Sequence, residues 1–308
     1  MWKSWLIMDP VDTIAMIYIN VFSIASGSFL NSKSYIEIWN ALIRIDRDLS
    51  SFKVRILTWR GNLFPKLFIV HFGAIYTFSW IFYSQITEPD PVDLGHAYFF
   101  LENAQRYHIG NLVVLMQHLK VSMKLEFENI NGILEEMCSR GRFDLATPLD
   151  VAKLRNSYIV LLEQIGNFNK VFGKIILVFF LTAVLSYLLS FCSITVNGID
   201  LIKMGYYFSM SIVHLSVILW MISIIAITCG DTTRVAKETG PLCYCLCAEL
   251  RRSSNAALYD ELLTFARVAS SANPVVTAGG FFNVDHAMLS HIFTILIAYI
   301  IVLIQLFR

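Results

Sequence analysis

The feature that most constrains this fold is a run of 22 residues near the C-terminal end, 286–307, without any formally charged side chain. In an α-helix each residue advances the chain by about 1.5 Å, so this run is long enough to cross a hydrocarbon core of about 30 Å. A segment of this length and character predicts a transmembrane helix.

The residues of this run sort by chemistry around the predicted helix. At about 100° per residue, Thr294, Ala298, Val302 and Gln305 share one narrow arc, with His291 in the same sector. The opposite side is bulky and apolar and carries Phe293, Leu296, Ile300, Leu303, Ile304 and Phe307. A helix surrounded only by lipid has no reason to align its polar and small residues, so we expect this arc to face protein or water.

The composition of the whole chain agrees with a membrane protein. Hydrophobic residues make up 56% of the 308 positions and charged residues only 15%, whereas a soluble domain carries about 25% charged residues. The net charge of +1 excludes a nucleic-acid partner attracted by overall charge.

Five further stretches are apolar and long enough to span a membrane. One of them, 94–119, contains Glu102 and Arg106, which lie four residues apart on one helical face and can neutralise each other. The other four cover 13–32, 67–87, 175–199 and 204–230. The prediction is therefore an all-α, polytopic membrane bundle of six spans forming one domain over residues 1–308.

The distribution of basic residues predicts the orientation. Segments 33–66, 119–174 and 230–285 hold seven, eight and five Lys or Arg, twenty of the chain's 24. The positive-inside rule places these three segments in the cytosol and both termini outside. Their apolar residues recur at helical spacing around 125–137, 154–172 and 250–268, with a break at Gly141 and Thr147-Pro148. These patterns predict helical extensions rather than loose loops.

The last span carries a resemblance to a known family. Insect gustatory receptors, in the wider insect chemoreceptor channel superfamily, end in a helix with the pattern T-Y, five mostly apolar residues, then Q-F. Here Tyr299 and Gln305 have the correct separation, with Ala298 in place of Thr and Leu306 in place of Phe. The preceding residues 280–285, GFFNVD, resemble the family's G-x-F-x-h-D approach.

A second stretch extends the resemblance. Asn169, Phe172 and Gly173 resemble the family's L-N-x-x-F-G stretch at the start of a span. Family members have seven spans, so the resemblance implies that this chain begins at the family's second span and lacks the first.

The resemblance implies a function and a site. It implies a ligand-gated, non-selective cation channel in the plasma membrane of chemosensory neurons, assembled as a homo- or hetero-tetramer with gustatory receptor subunits and surrounded by membrane lipid. Ala298, Val302 and Gln305 would line the pore. Sugar-sensing members have Glu after the motif Tyr, whereas this chain has Ile300, which favours a bitter or aversive small-molecule tastant. For the function, a transporter or a non-conducting accessory membrane subunit stays open as an alternative. For Gln305, the alternative is a structural role in which its side chain only hydrogen-bonds a neighbouring helix.

Candidate ligand-binding residues are aromatic and hydroxyl side chains near the outer ends of three spans. Such groups suit small organic ligands, although interfacial Tyr and Trp are also ordinary membrane anchors. They are Tyr76, Trp80, Tyr83, His96, Tyr98, Phe99, Tyr187 and Ser190.

The sequence predicts no enzymatic activity, no cofactor and no metal site. No phosphate-binding loop, nucleophile elbow or His-Glu metal motif is present. Cys243, Cys245 and Cys247 lack the two-residue spacing of zinc ligands. We therefore expect these thiols to be buried or palmitoylated.

Overall fold

A computed structural model describes residues 32–50, 52, 94–139, 147–196, 201–250 and 255–306. Within these residues the chain forms six α-helices and one short two-stranded antiparallel sheet, so the expected all-α fold is confirmed. The helices are α1 (Ser32–Ser50), α2 (Leu94–Ser139), α3 (Pro148–Val196), α4 (Leu201–Leu250), α5 (Ala256–Ser271) and α6 (His286–Leu306). Strands β1 (Thr277–Ala278) and β2 (Phe282–Asn283) lie between α5 and α6.

Three of the helices are far longer than a bilayer requires. Helices α2, α3 and α4 have 46, 49 and 50 residues, which corresponds to about 70–75 Å each. Two stretches of the described chain, Pro148–Leu185 and Ser216–Leu250, are long and apolar enough to cross a membrane by length and composition. The expected helical extensions are therefore continuous with the spans. The predicted span 67–87 lies outside the described residues, as does the span 13–32 except for Ser32.

The boundaries of the extensions differ from the sequence-based ones at one place. Helix α4 continues past Gly230 and through Pro241 to Leu250, and the amphipathic piece expected at 250–268 begins only at Ala256. Gly240 lies inside α4 at a close approach to α5, because a Cβ atom there would lie 2.7 Å from Ser270 Oγ. The glycine thus allows α4 and α5 to pack closely.

Side-chain caps fix the starts of α3 and α5. The Thr147 hydroxyl donates to Asp150 Oδ2 at 2.7 Å, and the Thr147 backbone N–H donates to the same carboxylate at 3.1 Å. Pro148 occupies the first helical position, where its missing N–H has no cost. Asn255 accepts a hydrogen bond from the Leu258 N–H at 3.2 Å and caps α5. The break expected at Thr147-Pro148 is therefore the start of a capped helix.

The core of the extensions is centred on Tyr158 of α3, whose side chain is fully buried. Its hydroxyl donates to the Ala236 carbonyl of α4 at 3.0 Å. The rings of Phe127 on α2 and Phe265 on α5 meet it edge-on, with centroids 5.4 and 5.6 Å away. One residue therefore joins four helices, and edge-to-face pairs of this kind add about 0.5–1.5 kcal/mol each beyond area burial.

Buried polar groups set the register of α2 against α4. Asn131 donates to the Val235 carbonyl at 2.9 Å and accepts from the Thr239 hydroxyl at 2.7 Å. The Thr232 hydroxyl reaches the Lys120 carbonyl at 3.2 Å. A shift of one helix along the other would leave these buried groups without partners, so the bonds select one arrangement.

Candidate functional site

Within the described part of the chain, helix α6 contacts the other helices along one stripe. Met288 and Leu296 are 6% exposed each, and Leu289 and Ile292 pack partly buried against the same core. Positions 288, 292 and 296 are four residues apart and therefore share a helix face. The remaining described positions of the second half of the helix are exposed, including Ile297 and Ile301.

The polar arc of α6 lies on the exposed part of its surface. Ala298, Val302 and Gln305 are all exposed, Val302 to 50%, and Tyr299 is 51% exposed. Leu296 is buried against the subunit, whereas Phe293, which the sequence places on the same apolar side, is 42% exposed. The side chains of Ile300 and Leu303 lie outside what the structure describes.

The polar groups on this arc bond their own helix. His291 Nδ1 lies 2.7 Å from the Ala287 carbonyl, and the Thr294 hydroxyl donates to the Ser290 carbonyl at 2.8 Å. Among the described residues these side chains make no hydrogen bond to another helix. The hydroxyl of Thr294 and the ring of His291 therefore do not join α6 to another described helix.

A tight hairpin delivers the chain to the start of α6. Gly279 and Gly280 have φ angles of 60° and 83°, which lie in the left-handed region that L side chains rarely adopt. They form the turn between β1 and β2, where Ala278 pairs with Phe282. The positive φ angles therefore explain why two consecutive glycines occur at 279 and 280.

The motif residue Asp285 caps α6. Its Oδ1 accepts a hydrogen bond from the Met288 N–H at 3.1 Å, and its charge favours a helix N-terminus. The preceding Val284 is buried, and its N–H donates to the Val276 carbonyl at 2.8 Å. The G-x-F-x-h-D resemblance thus corresponds to a turn, a buried anchor and a helix cap.

Helix α3 holds this hairpin through the second motif. The Asn169 amide donates to the Val275 carbonyl at 3.0 Å and accepts from the Thr277 N–H at 3.1 Å. A Cβ atom at Gly173 would lie 3.0 Å from the Thr277 carbonyl oxygen, so a larger residue would push the hairpin backbone away from α3 by a few tenths of an ångström. Phe172, in the same motif, is buried.

Helix α4 holds the start of α6 from another side. Asp231 lies 3.5 Å from His286 Nε2 and 3.3 Å from the Lys124 ammonium of α2. Gly230 permits the contact, because a Cβ atom there would lie 2.8 Å from the His286 ring. A cavity of about 500 Å³ adjoins this contact, lined by α4 and residues 285–287. The first turn of α6 is therefore fixed by α3 and α4 together.

A buried carboxyl group lies away from the start of α6, between α1 and α2. Glu126 is 7% exposed and accepts a hydrogen bond from Asn129 at 3.4 Å. Burial raises the pKa of Glu126 to about 7; the Asn129 bond opposes this shift and the Asp46 carboxylate on α1 adds to it. The group therefore changes charge near neutral pH.

The structure places one candidate ligand-binding side chain. Tyr187 is 9% exposed, belongs to the apolar core and contacts the backbone of Leu219 on α4. His96, Tyr98, Phe99 and Ser190 lie on helical backbone of α2 and α3, but their side chains are outside the described part. Tyr76, Trp80 and Tyr83 lie outside the described residues altogether.

The cysteines divide into two kinds. Cys229, Cys243 and Cys247 are buried, as expected for the outer two of the Cys-x-Cys-x-Cys run. Cys245 is exposed and faces Cys138 of α2. The sequence reasoning missed this pairing, since the partner lies more than a hundred residues away.

Comparisons with known proteins identify one family and a similar fold. A family model described as 7tm Chemosensory receptor matches residues 13–306. The structure of the insect olfactory receptor OR5 from Machilis hrabei is similar at a TM-score of 0.63 and 13% identity, covering 99% of this chain and 87% of the other. Its complex with eugenol gives a TM-score of 0.59 at 13% identity, covering 98% and 79%. No curated protein sequence matches this chain.

Proposed function

The chain belongs to the 7tm chemosensory receptor family, a family of helical membrane bundles, and from this membership we propose that it is a subunit of a gustatory, ligand-gated, non-selective cation channel. Four subunits, either copies of this chain or other gustatory receptor chains, surround one pore in the plasma membrane of chemosensory neurons. The last helix of each subunit lines that pore.

One observation carries the channel proposal: α6 packs on its subunit along one stripe and leaves its polar arc exposed. Around a shared axis, four Val302 side chains form an apolar constriction that can lose its water, and four Gln305 amides offer neutral oxygens to a passing cation. Ala298 lies one helical turn before Val302, and its small side chain leaves the pore wider at that level. The packing of Leu296 against the bundle supports an arc directed away from its own subunit.

The gustatory assignment rests on the motif. Tyr299 and Gln305 keep the separation of the gustatory pattern, and Ile300 stands where sugar-sensing members have Glu. These features favour a bitter or aversive tastant over a sugar. The similar olfactory receptor structure in complex with eugenol supports a small organic ligand. Tyr187 and the other aromatic candidates are the residues from which such a site would be built.

Cysteine accessibility tests the pore. Single cysteines are introduced from 296 to 305 in the full chain, on a background in which exposed Cys245 is replaced by Ser, and agonist-evoked current is recorded. Thiol reagents should block current at positions 298, 302 and 305. Leu296→Cys is the matched control, because its side chain is buried against the subunit. Reactivity at 296 and silence at 298, 302 and 305 would refute the proposed pore face.

Two other outcomes separate the alternatives. An accessory subunit would carry no current alone but would change the ligand response of a conducting partner subunit. A transporter would accumulate substrate without channel-like current.

A further inference from the structure

Two cysteines and a glutamate from different helices meet at one end of the α2–α4 pair. Cys138 lies at the end of α2, and Cys245 and Glu249 lie four residues apart in the last turns of α4. The Cys138 thiol donates to Glu249 Oε1 at 3.3 Å. The two sulfur atoms and a carboxylate oxygen all lie within 4.8 Å of one another.

These distances fit a tetrahedral metal ion. With zinc bonds of about 2.3 Å to sulfur and about 2.0 Å to oxygen, neighbouring sulfur and oxygen ligands lie about 3.5 Å apart. The observed 3.3 Å between Cys138 Sγ and Glu249 Oε1 is close to this value. The i, i+4 spacing of Cys245 and Glu249 places both ligands on one face of α4.

We propose that Cys138, Cys245 and Glu249 bind one Zn²⁺ ion, with water as the fourth ligand, and thereby tie the end of α2 to the end of α4. Binding releases both thiol protons to solvent, because thiolates are the ligands. Cys245 and Glu249 are exposed and Cys138 is partly exposed, so the ion has a direct path from solvent.

The buried cysteines nearby are not part of this site. Cys243 and Cys247 flank Cys245 in sequence, but both point into the core. Of the three cysteines in the Cys-x-Cys-x-Cys run, only the middle one, Cys245, belongs to the described cluster with Cys138 and Glu249. This explains why the spacing along α4 lacks a zinc pattern although a three-ligand cluster exists.

A disulfide between Cys138 and Cys245 is the competing chemistry. Two features favour the metal. Glu249 is directed at the Cys138 thiol, which a disulfide does not require, and the positive-inside rule places these helix ends in the cytosol, where thiols stay reduced. The zinc proposal does not depend on whether the chain conducts ions.

Direct zinc binding tests the proposal. The full chain is purified in detergent with a phosphine reductant, stripped with a chelator and equilibrated with Zn²⁺. Bound metal is measured by mass spectrometry, and affinity by competition with a chromogenic zinc chelator. We expect one ion per chain and a higher melting temperature with Zn²⁺ than without it. Cys138→Ser, Cys245→Ser and Glu249→Gln should each lower the affinity at least about tenfold.

Matched substitutions serve as controls. Glu238→Gln removes an exposed carboxylate of the same helix that pairs with Arg234, and Cys247→Ala removes a buried thiol. Both should keep zinc affinity. The proposal is overturned if the wild-type chain retains no zinc, if the three ligand variants bind as well as the controls, or if Cys138 and Cys245 form a disulfide under reductant.

Discussion

The side-chain oxygen of Asn169, on α3, accepts a hydrogen bond at 3.1 Å from the backbone N–H of Thr277, 108 residues further along the chain. The same amide donates to the Val275 carbonyl at 3.0 Å. One side chain thus satisfies two backbone groups of the hairpin that leads into α6. It is a polar link between α3 and the hairpin that precedes the proposed pore helix.

Loss of this amide should destabilise the hairpin. Asn169→Ala leaves two backbone groups of a partly buried segment without partners, which costs about 1–3 kcal/mol. We expect a lower melting temperature of the purified protein and faster proteolysis between α5 and α6. Asn167→Ala is the control, since among the described residues Asn167 bonds Gln164 on its own helix at 3.1 Å and makes no hydrogen bond to the hairpin. Equal effects of the two substitutions would show that the hairpin is held by other contacts.

Two glycines of α3 should respond to alanine in opposite directions. At Gly173 a Cβ atom would meet backbone atoms of Thr277 and Gly279 at 3.0 and 3.2 Å, so Gly173→Ala should destabilise by about 1–3 kcal/mol. At Gly166 nothing lies within 4 Å, so Gly166→Ala should stabilise the helix by about 0.5–1 kcal/mol. Thermal melting of both variants measures the difference, and a neutral Gly173→Ala would contradict the close approach.

The buried Glu126 should make stability depend on pH. Its folded-state pKa of about 7 lies above the usual 4.5, so the folded chain holds this proton more tightly than the unfolded chain. The free energy of unfolding therefore falls as pH rises from about 4.5 to 7, and the penalty is complete above pH 7.

Glu126→Gln removes this penalty and keeps an acceptor for Asn129. The variant should be more stable than wild type at pH 8, by up to about 3 kcal/mol, and nearly equal at pH 4.5. Melting curves at the two pH values measure this. Glu128→Gln, two residues away and paired with Lys124 at 3.6 Å, should not show the same pH-dependent gain.

Substitutions on the exposed arc of α6 should change conduction. A polar residue at Val302, such as Asn, should wet the proposed constriction and raise basal current. Gln305→Glu should favour divalent cations and Gln305→Lys should suppress cation current. Ile297→Asn is the control, because Ile297 is also exposed but lies away from the polar arc. Unchanged basal current in Val302→Asn would place the constriction elsewhere.

Chemical labelling should report the orientation. A cysteine added after Arg308 should react with a membrane-impermeant maleimide on intact cells. A cysteine at Asp260, an exposed position of α5, should react only after permeabilisation. The reverse pattern would contradict the topology derived from the basic residues.

The sequence predicts much of this fold because local signals agree with tertiary packing. Apolar residues at helical spacing around 125–137 and 154–172 lie in the observed helices, and Thr147-Pro148 caps α3. The sequence was less informative beyond the predicted span 204–230. Helix α4 continues past Gly230 and through Pro241 to Leu250, and Gly230 allows the close approach of His286. A glycine selected for close packing cannot be told from a terminating one by sequence alone.

The contacts that hold the start of α6 and the cluster of Cys138, Cys245 and Glu249 could not be predicted from the sequence. The motif containing Asn169 was visible, but its partners lie 106 and 108 residues away. The Cys138–Cys245 proximity likewise depends on the register of α2 against α4. Such registers are set by buried bonds like that between Asn131 and Thr239, which no local pattern reveals.

The narrow stripe by which α6 packs on its subunit has a consequence for how the protein is made. Among the described residues, most side chains in the second half of the helix are exposed, so in the proposed tetramer much of its burial comes from neighbours. By mass action, the fraction of chains with a fully covered α6 then rises with the number of subunits per area of membrane. Newly made chains at low abundance would present His291, Thr294 and Gln305 to lipid, where polar groups are costly. Assembly and the final folding of this helix thus become a single, concentration-dependent event.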